Sequence, residues 1–413
     1  MLFGGTLNRT IFWELVKVFL LSLGSLTGLF VLAGLIQQAS QMGLSPMQVV
    51  TAIPLFIPSS LPFTIPATTL FASCVVYGRL AHDNEVVAIK GAGVHLFTIL
   101  KPALTLGVVT AAITAGLYHS VIPLSQQLLQ EEMLRDPEEV MYNWLRRDRC
   151  IRHPTFPYVL YVKDVQGRRL IDVILKQRVR VVDPVTGLPG AWNGYDRVAR
   201  AREARLRVDA TEGKLYLDAD RFVFYEKNTQ GATPPNGPFP IPMPDNLTAN
   251  DSRNRPMALT WDSLGPRMED LARERTELET SRVIQEETAS KLADETLKKR
   301  YSDETTHFQA RVENLVRQSR NVQAEFYMRP ALAAGCLVFA LLGCPVGIWA
   351  NRADYLSTFV ICFLPTVFVY YPLLLAGSNM GKDGKLSLGL GCWLANIVMG
   401  TAGLFLTARL LRR

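Results

Sequence analysis

The sequence predicts an α-helical membrane protein with six transmembrane helices, an inserted antiparallel β domain and long charged helices. Three observations carry that prediction. First, Met328 to Ala350, Leu356 to Leu375 and Leu386 to Leu411 are apolar, and each approaches or exceeds the ~20 helical residues that cross a hydrocarbon core of roughly 30 Å. Second, three more such stretches lie before Ser125. Third, the middle of the chain is charged and carries strand-like alternation. The 413 residues are 48% hydrophobic with a formal net charge of +7. A mean hydropathy of +0.13 therefore averages two regimes, apolar ends and a charged centre. The expected divisions are 1–124, 125–260, 261–327 and 328–413.

Of the six cysteines, Cys74, Cys336, Cys344, Cys362 and Cys392 lie in or beside apolar spans, where Cys behaves as a small hydrophobe. Cys150 alone belongs to the insert, which must fold without an internal disulfide. The first apolar run, Val18 to Ile36, is too long for a signal-peptide core and reads as a retained span.

Residues 1–17 alternate Arg9, Glu14 and Lys17 with Leu7, Ile11, Phe12 and Leu15, which predicts an interfacial helix leading into span 1. Span 1 carries Gly24 and Gly28, a spacing that lets another helix approach closely. Gln37 and Gln38 begin a stretch without charge, 37–48. Span 2, from Val49 to Tyr77, contains Pro54, Pro58, Pro62 and Pro66. Each proline removes a backbone donor, and spacing of four puts them near one face. A bent or locally unwound helix is expected, with Ser59, Ser60, Thr64, Thr68 and Thr69 offering hydroxyls to the freed carbonyls. Such a span is either a kinked packing helix or the deformable wall of a cavity.

Between spans 2 and 3, Asp83 or Asn84 can cap a short helix, and Glu85 favours its positive end. Gly91 or Gly93 can end it. Arg79 precedes it, and its Val86, Val87 and Ile89 are apolar although the loop lies in water. The helix either fits a groove on a partner or packs on the protein's own face. Span 3, from Pro102 to Ile122, is rich in small residues, and His119 near its end reads as a packed or interfacial residue.

The insert opens with a polar helical stretch, Ser125 to Arg147. Tyr158 to Val162 and Leu170 to Leu175 flank a Gly167 turn. Ala204, Leu206 and Val208, then Leu215 and Leu217, alternate with polar residues around a turn at Thr211, and Phe222 to Tyr225 reads as the next strand. This predicts antiparallel sheet with a greasy interior. Residues 229–256 read as a Pro/Asn/Gly-rich linker. From Arg267 to Arg329 there is neither Pro nor Gly. Leu264, Leu271 and Leu278 start a heptad that Gln285 interrupts, and a break is expected near Ser302 to Thr306.

Arg9, Lys17, Arg79, Lys90, Lys101, Arg352, Arg409, Arg412 and Arg413 gather on one side of the spans, against Lys382 and Lys385 in short loops on the other. Positive-inside counting places both termini in the cytoplasm and the insert outside. There is no HExxH, no Cys/His cluster of zinc spacing and no phosphate loop, and no carboxylate stands mid-membrane. The chain shows no means of using ATP or a proton gradient alone. Neither a cofactor nor a nucleic acid is expected.

Three segments together resemble the LptF/LptG (YjgP/YjgQ) permeases of the lipopolysaccharide export ABC transporter. They are Gly78 to Val94, Met328-Arg-Pro through Cys344-Pro-Val-Gly-Ile, and Tyr370-Tyr-Pro with Gly381-Lys-Asp-Gly-Lys and Trp393-Leu-Ala-Asn. The likeness is strong over 1–125 and 325–413 and weak over the insert. It implies a non-catalytic subunit in the bacterial inner membrane that pairs with a second LptF/LptG-like permease on a cytoplasmic LptB-like ATPase dimer. Asp83, Asn84, Glu85, Val86, Ile89 and Arg79 would then belong to the ATPase-coupling helix, with Glu85 meeting a basic partner. The insert would be a periplasmic β-jellyroll that passes lipopolysaccharide or a similar glycolipid to an LptC-like jellyroll. Spans 1 and 5 would be lateral gates, with Gly24, Gly28, Gln37, Gln38, Pro58, Pro62 and Pro66 along the lipid passage. Where members of the family carry basic residues for lipid phosphates, this chain reads Gln37-Gln38-Ala39-Ser40. The competing reading is a membrane-anchored structural or sensory envelope protein whose β domain and helical stalk bind a periplasmic partner.

Overall fold

The computed structural model describes residues 5–42, 46–134, 137–152, 158–182, 189–209, 214–219, 223–226, 229–232, 239–242, 255–291, 295–349 and 355–412. The first membrane half comprises α1 (Thr6–Met42), α2 (Pro46–His82), the short α3 (Glu85–Gly91) and α4 (Leu96–Gly116). A π-helical turn, Leu117–Val121, leads into α5 (Ile122–Leu134), and α6 (Pro137–Asp148) follows. After the strands come α7 (Trp261–Lys291) and α8 (Glu295–Trp349). The fifth span is α9 (Tyr355–Pro365), a π-helical segment Thr366–Tyr370 and α10 (Tyr371–Lys382); α11 (Leu388–Arg412) is the sixth. Among the described residues, six helical stretches are long and apolar enough to cross a membrane.

The membrane half of α8 is the hub. A Cβ on Gly347 would stand 2.7 Å from the Cys74 carbonyl oxygen, and one on Gly343 would stand 2.6 Å from the Ser73 Cβ. On the other side a Cβ on Gly107 would stand 2.7 Å from that of Ala340. Glycine at these positions lets α8 wedge between α2 and α4 at backbone distance, the packing that works where lipid tails remove any hydrophobic drive between helices. The Cys74 thiol donates to the Gly343 carbonyl at 3.3 Å, and the Asn396 side-chain amide of α11 donates to the Ala331 carbonyl at 2.6 Å.

One end of the bundle is marked by α3. Ile11 and Leu15 of α1, Leu80 of α2, Val86 of α3 and Leu96 of α4 share one core there, with Ile348 and Leu410 packed against it. The start of α1 is therefore not a separate interfacial helix. It is continuous with span 1, and its apolar side packs on α2 and α4. The insert leaves from the opposite end.

The insert is an antiparallel sheet of nine described strands. In chain order these are β1 (Cys150–Arg152), β2 (Tyr158–Tyr161), β3 (Asp164–Gln166), β4 (Arg169–Val182) and β5 (Pro189–Asp209). Then come β6 (Lys214–Ala219), β7 (Val223–Glu226), β8 (Thr229–Ala232) and β9 (Phe239–Pro242). The path runs β1-β2-β4-β5-β6-β9, with β3 on β4 and β7 on β5. The turn at Gly167, with φ of 60°, joins β3 to β4 as its position predicts. Two strands fall inside the segment expected to be a structureless linker. Phe239-Pro-Ile-Pro242 pairs with β6 at the end of the sheet path, where a strand can lack donors on one side. The predicted turn at Thr211 lies outside the described residues.

Core-facing residues change parity along the β4–β5 ribbon, from Leu170 to Val173 and from Ala201 to Ala204. At that switch Asp172 stands in the left-handed region with φ of 53°. Arg200 fixes it with two bonds of 2.9 and 3.1 Å, and this contact holds the Asp172 carboxyl below the usual carboxylate range. The corner lets both halves of the ribbon face one core.

That core is occupied by the chain itself. Met141, Tyr142 and Leu145 of α6 are buried against Leu170, Val173, Leu206 and Leu217. The Tyr142 hydroxyl donates to the Arg168 carbonyl and accepts from the Leu206 amide, each at 2.9 Å. Burial pushes this phenol's pKa up, so it remains a neutral donor.

The remaining helices form an antiparallel hairpin. Leu264 and Leu271 of α7 meet Leu315 and Val322 of α8, with Leu278 packed alongside, and Trp261 stacks on Phe326 at 5.0 Å. The leading heptad is therefore a real seam. The break expected near Ser302 to Thr306 is not there. Helix α8 runs unbroken from Glu295 into the membrane, as the lack of Pro and Gly between 267 and 329 allows.

Candidate functional site

Spans 1, 2 and 5 enclose a groove of about 360 Å³. Leu21, Leu26 and Leu29 come from α1, Ala67 and Phe71 from α2, and Phe363 from α9. Hydroxyls also line it, but they are spent on their own helices. Ser22 bonds the Val18 carbonyl at 2.7 Å, Ser25 that of Leu21 at 3.1 Å, and Thr68 that of Thr64 at 2.9 Å. A hydroxyl satisfied by its own backbone offers a passing ligand little polarity. The wall therefore suits hydrocarbon. Leu21 and Leu29 on its rim are 78% and 65% exposed, so the groove opens sideways, halfway along α1.

The residues expected along this passage are distributed unevenly. Among the described residues, nothing lies within 4 Å of where a Cβ would stand at Gly24 or Gly28, and no helix approaches there. Helix α1 instead meets the Phe56 ring at Gly34. Gln37 is exposed near the end of α1, and the Gln38 side chain lies outside the described residues. Pro62 and Pro66 are buried and Pro58 half-buried; Pro66 directly precedes Ala67 of the groove wall, and Pro62 and Pro58 lie more than a turn from it. Helix α2 is continuous through all four prolines rather than unwound. Two neighbouring hydroxyls bond carbonyls beside those that the prolines free: Ser60 that of Ile57 at 2.8 Å, Thr64 that of Leu61 at 3.4 Å. Thr27 and Thr64 join α1 to α2 by a buried bond of 3.0 Å.

At the other site, Asn84 occupies the N-cap position of α3 with φ of 59° and no side-chain capping bond, so the predicted cap is backbone only. Asn tolerates that left-handed geometry better than most residues. Gly93, with φ of 77°, turns the chain after the helix. Arg79 is paired with Glu14 of α1, an intrachain ion pair that fastens α2 to the start of span 1. Val86 is buried and Ile89 half-buried in the bundle's own core, so this face of α3 is turned away from any partner. Asp83, Glu85 and Val87 are presented outward, Val87 with 67% of its surface exposed. Val86 and Ile89 thus pack on the protein's own face, while the adjacent Val87 is left exposed.

A third feature was not legible as a site. Arg329 of α8 is 2% exposed. One terminal nitrogen donates to the Pro256 and Leu259 carbonyls at 3.0 and 2.9 Å. The Nε stands 3.6 Å from Glu325, and the guanidinium lies 5.7 Å from the Tyr118 ring in the π-helical turn. This ties span 4 and span 3 to the segment returning from the insert. In the sequence Arg329 is simply the cation before Pro330; a charge at the head of an apolar helix was the signal available.

No metal-binding group of His, Cys, Asp or Glu occurs among the described residues. No curated protein matches this chain by sequence. The family described as "Lipopolysaccharide export system permease LptF/LptG" matches residues 9–409. With six apolar helices, a central antiparallel sheet and a match over nearly its whole length, the chain belongs to the LptF/LptG family of lipopolysaccharide export permeases.

Proposed function

We propose that this chain is the membrane-spanning subunit of an ABC exporter. It draws lipopolysaccharide or a related glycolipid from the inner membrane and hands it toward a periplasmic bridge. The observation that carries the proposal is the sideways-opening apolar groove between spans 1, 2 and 5, halfway along the bundle, with α3 presenting a carboxylate and an exposed valine at one end. Acyl chains enter such a groove without losing hydrogen bonds. Energy comes from a separate LptB-like ATPase dimer seated on α3, where Glu85 and Val87 meet it and Val86 and Ile89 anchor the helix to the bundle. A second LptF/LptG-like permease completes the passage, and an LptC-like jellyroll accepts the lipid. The α3 end is cytoplasmic and the insert periplasmic, a sidedness supported by the cations at Arg9, Arg79, Lys90 and Arg409.

The complex with its ATPase, reconstituted in nanodiscs containing lipopolysaccharide, tests this. Wild type should release lipid to a soluble acceptor only with ATP, and Glu85→Arg should hydrolyse ATP without release. Normal release by Glu85→Arg and Glu85→Ala would remove α3 from the coupling role. Labelling of Asp164→Cys from the cytosolic side would overturn the sidedness.

A further inference from the structure

The groove ends at a row of aromatic rings. Phe30 of α1 stacks on Phe63 of α2, 6.4 Å between centroids and 8° between planes. Phe63 meets Tyr371 of α10 at 6.3 Å, Tyr371 meets Tyr370 edge-on at 5.3 Å, and Tyr370 meets Phe339 of α8 at 4.6 Å. The row crosses the same three spans that wall the groove. Along each of them it lies beyond the groove toward the insert, past Leu29 on α1, before Ala67 on α2 and after Thr366 on the fifth span.

The two ends of the row are held differently. Tyr370 is fully buried, and its hydroxyl fills the space where a Cβ on Gly335 would stand. Phe30 is 45% exposed on the least enclosed of the spans around the groove. Between them the Tyr371 hydroxyl donates to the Phe63 carbonyl. Both helices joined by that bond depart from regular α-helical backbone bonding there. Phe63 lies between Pro62 and Pro66, and Tyr371 follows a π-helical segment introduced by Pro365. Helices bend at such points.

We infer that Phe30, Phe63 and Tyr371 form a gate between the groove and the insert-bearing end, closed by the Tyr371–Phe63 hydrogen bond. Acyl chains held in the groove pass it when α1 carries Phe30 off Phe63. Tyr370 and Phe339 are the fixed post, and Phe30 is the moving leaf. The inference rests on the groove being the lipid path, and the test separates the two.

A photo-reactive residue is placed at Leu26, inside the groove, or at Ile36, about 15 Å further along α1 and past the row. Labelling is read with purified lipopolysaccharide in nanodiscs carrying the complete complex. With Tyr371 intact, lipid should label position 26 without ATP and position 36 only with ATP. Tyr371→Phe keeps the ring and removes the hydroxyl, and a bond of this kind predicts about fivefold more ATP-independent labelling at 36. Phe30→Ala, at an exposed position, should do the same or more. If lipid labels 26 in every case while neither variant changes labelling at 36, the gate is wrong and the groove stands. If lipid never labels 26, the groove reading falls, and the gate falls with it.

Discussion

The chain spells the same glycine spacing in two spans and uses it in opposite ways. In α8, Gly343 and Gly347 press on the backbone of α2 so closely that a methyl group at either would collide. In α1, Gly24 and Gly28 meet no other described part of the chain within 4 Å of a Cβ position. The most apolar stretch of α1 is 22% buried within the chain, against 67% for those of α2 and α8. The difference divides the molecule into a fixed keel, α2 with α4 and α8, and a loosely held flank, α1. The groove lies along their seam.

Four variants would break or sharpen this division. Arg329→Met should be the most damaging. It leaves two carbonyls and the Glu325 carboxylate buried without their partner, which typically costs about 3–5 kcal/mol. The unfolding midpoint in detergent should drop steeply, and protease should reach the 255–260 segment sooner than in wild type. Gly347→Val comes next: forced overpacking against the Cys74 backbone costs about 1–3 kcal/mol. A midpoint close to wild type for this variant would mean that α2 and α8 are not in fixed contact. The paired change Gly24→Val with Gly28→Val should stay within about 0.5 kcal/mol of wild type for the isolated chain. A clear loss there would show α1 to be packed rather than loose. Smallest of all, Val87→Asp should leave the midpoint unmoved while reducing co-purification with the ATPase, since Val87 touches little of its own chain.

The spans were legible because hydropathy is a local property, and so was the hairpin seam at Leu264, Leu271 and Leu278. What the sequence left undecided depended on tertiary partners. Gly24-x-x-x-Gly28 and Gly343-x-x-x-Gly347 cannot be told apart by spelling; only the arrival of another backbone distinguishes them. Val86 and Val87 are adjacent and equally apolar, and the helix rotation between them puts one in the core and one outside. Strand β9 is written Phe-Pro-Ile-Pro, a poor strand by propensity, and exists because β6 offers it an edge. The greasy interior of the insert was predicted, but not that α6 fills it. The apolar positions Met141, Tyr142 and Leu145 were there to be read, and their target was not. Among the candidate site residues, Asp83 and Glu85 do face outward, but Val86 and Ile89 turn inward, Arg79 pairs with Glu14, and Val87 was missing from the set. Tyr371 was marked only within Tyr370-Tyr-Pro, and Phe63 and Phe30 carried no local mark.

The placement of α8 between α2 and α4 also sets a timetable for assembly. The hub helix is made only after the whole insert, so the bond from Cys74 to Gly343 joins residues 269 positions apart. At about 5–20 residues per second, the roughly 200 residues between spans 3 and 4 keep the ribosome busy for about 10–40 s. During that interval α2 and α4 lack the helix whose Gly343 and Gly347 later pack on Leu70, Ser73 and Cys74, so the bundle closes only once the insert has been made.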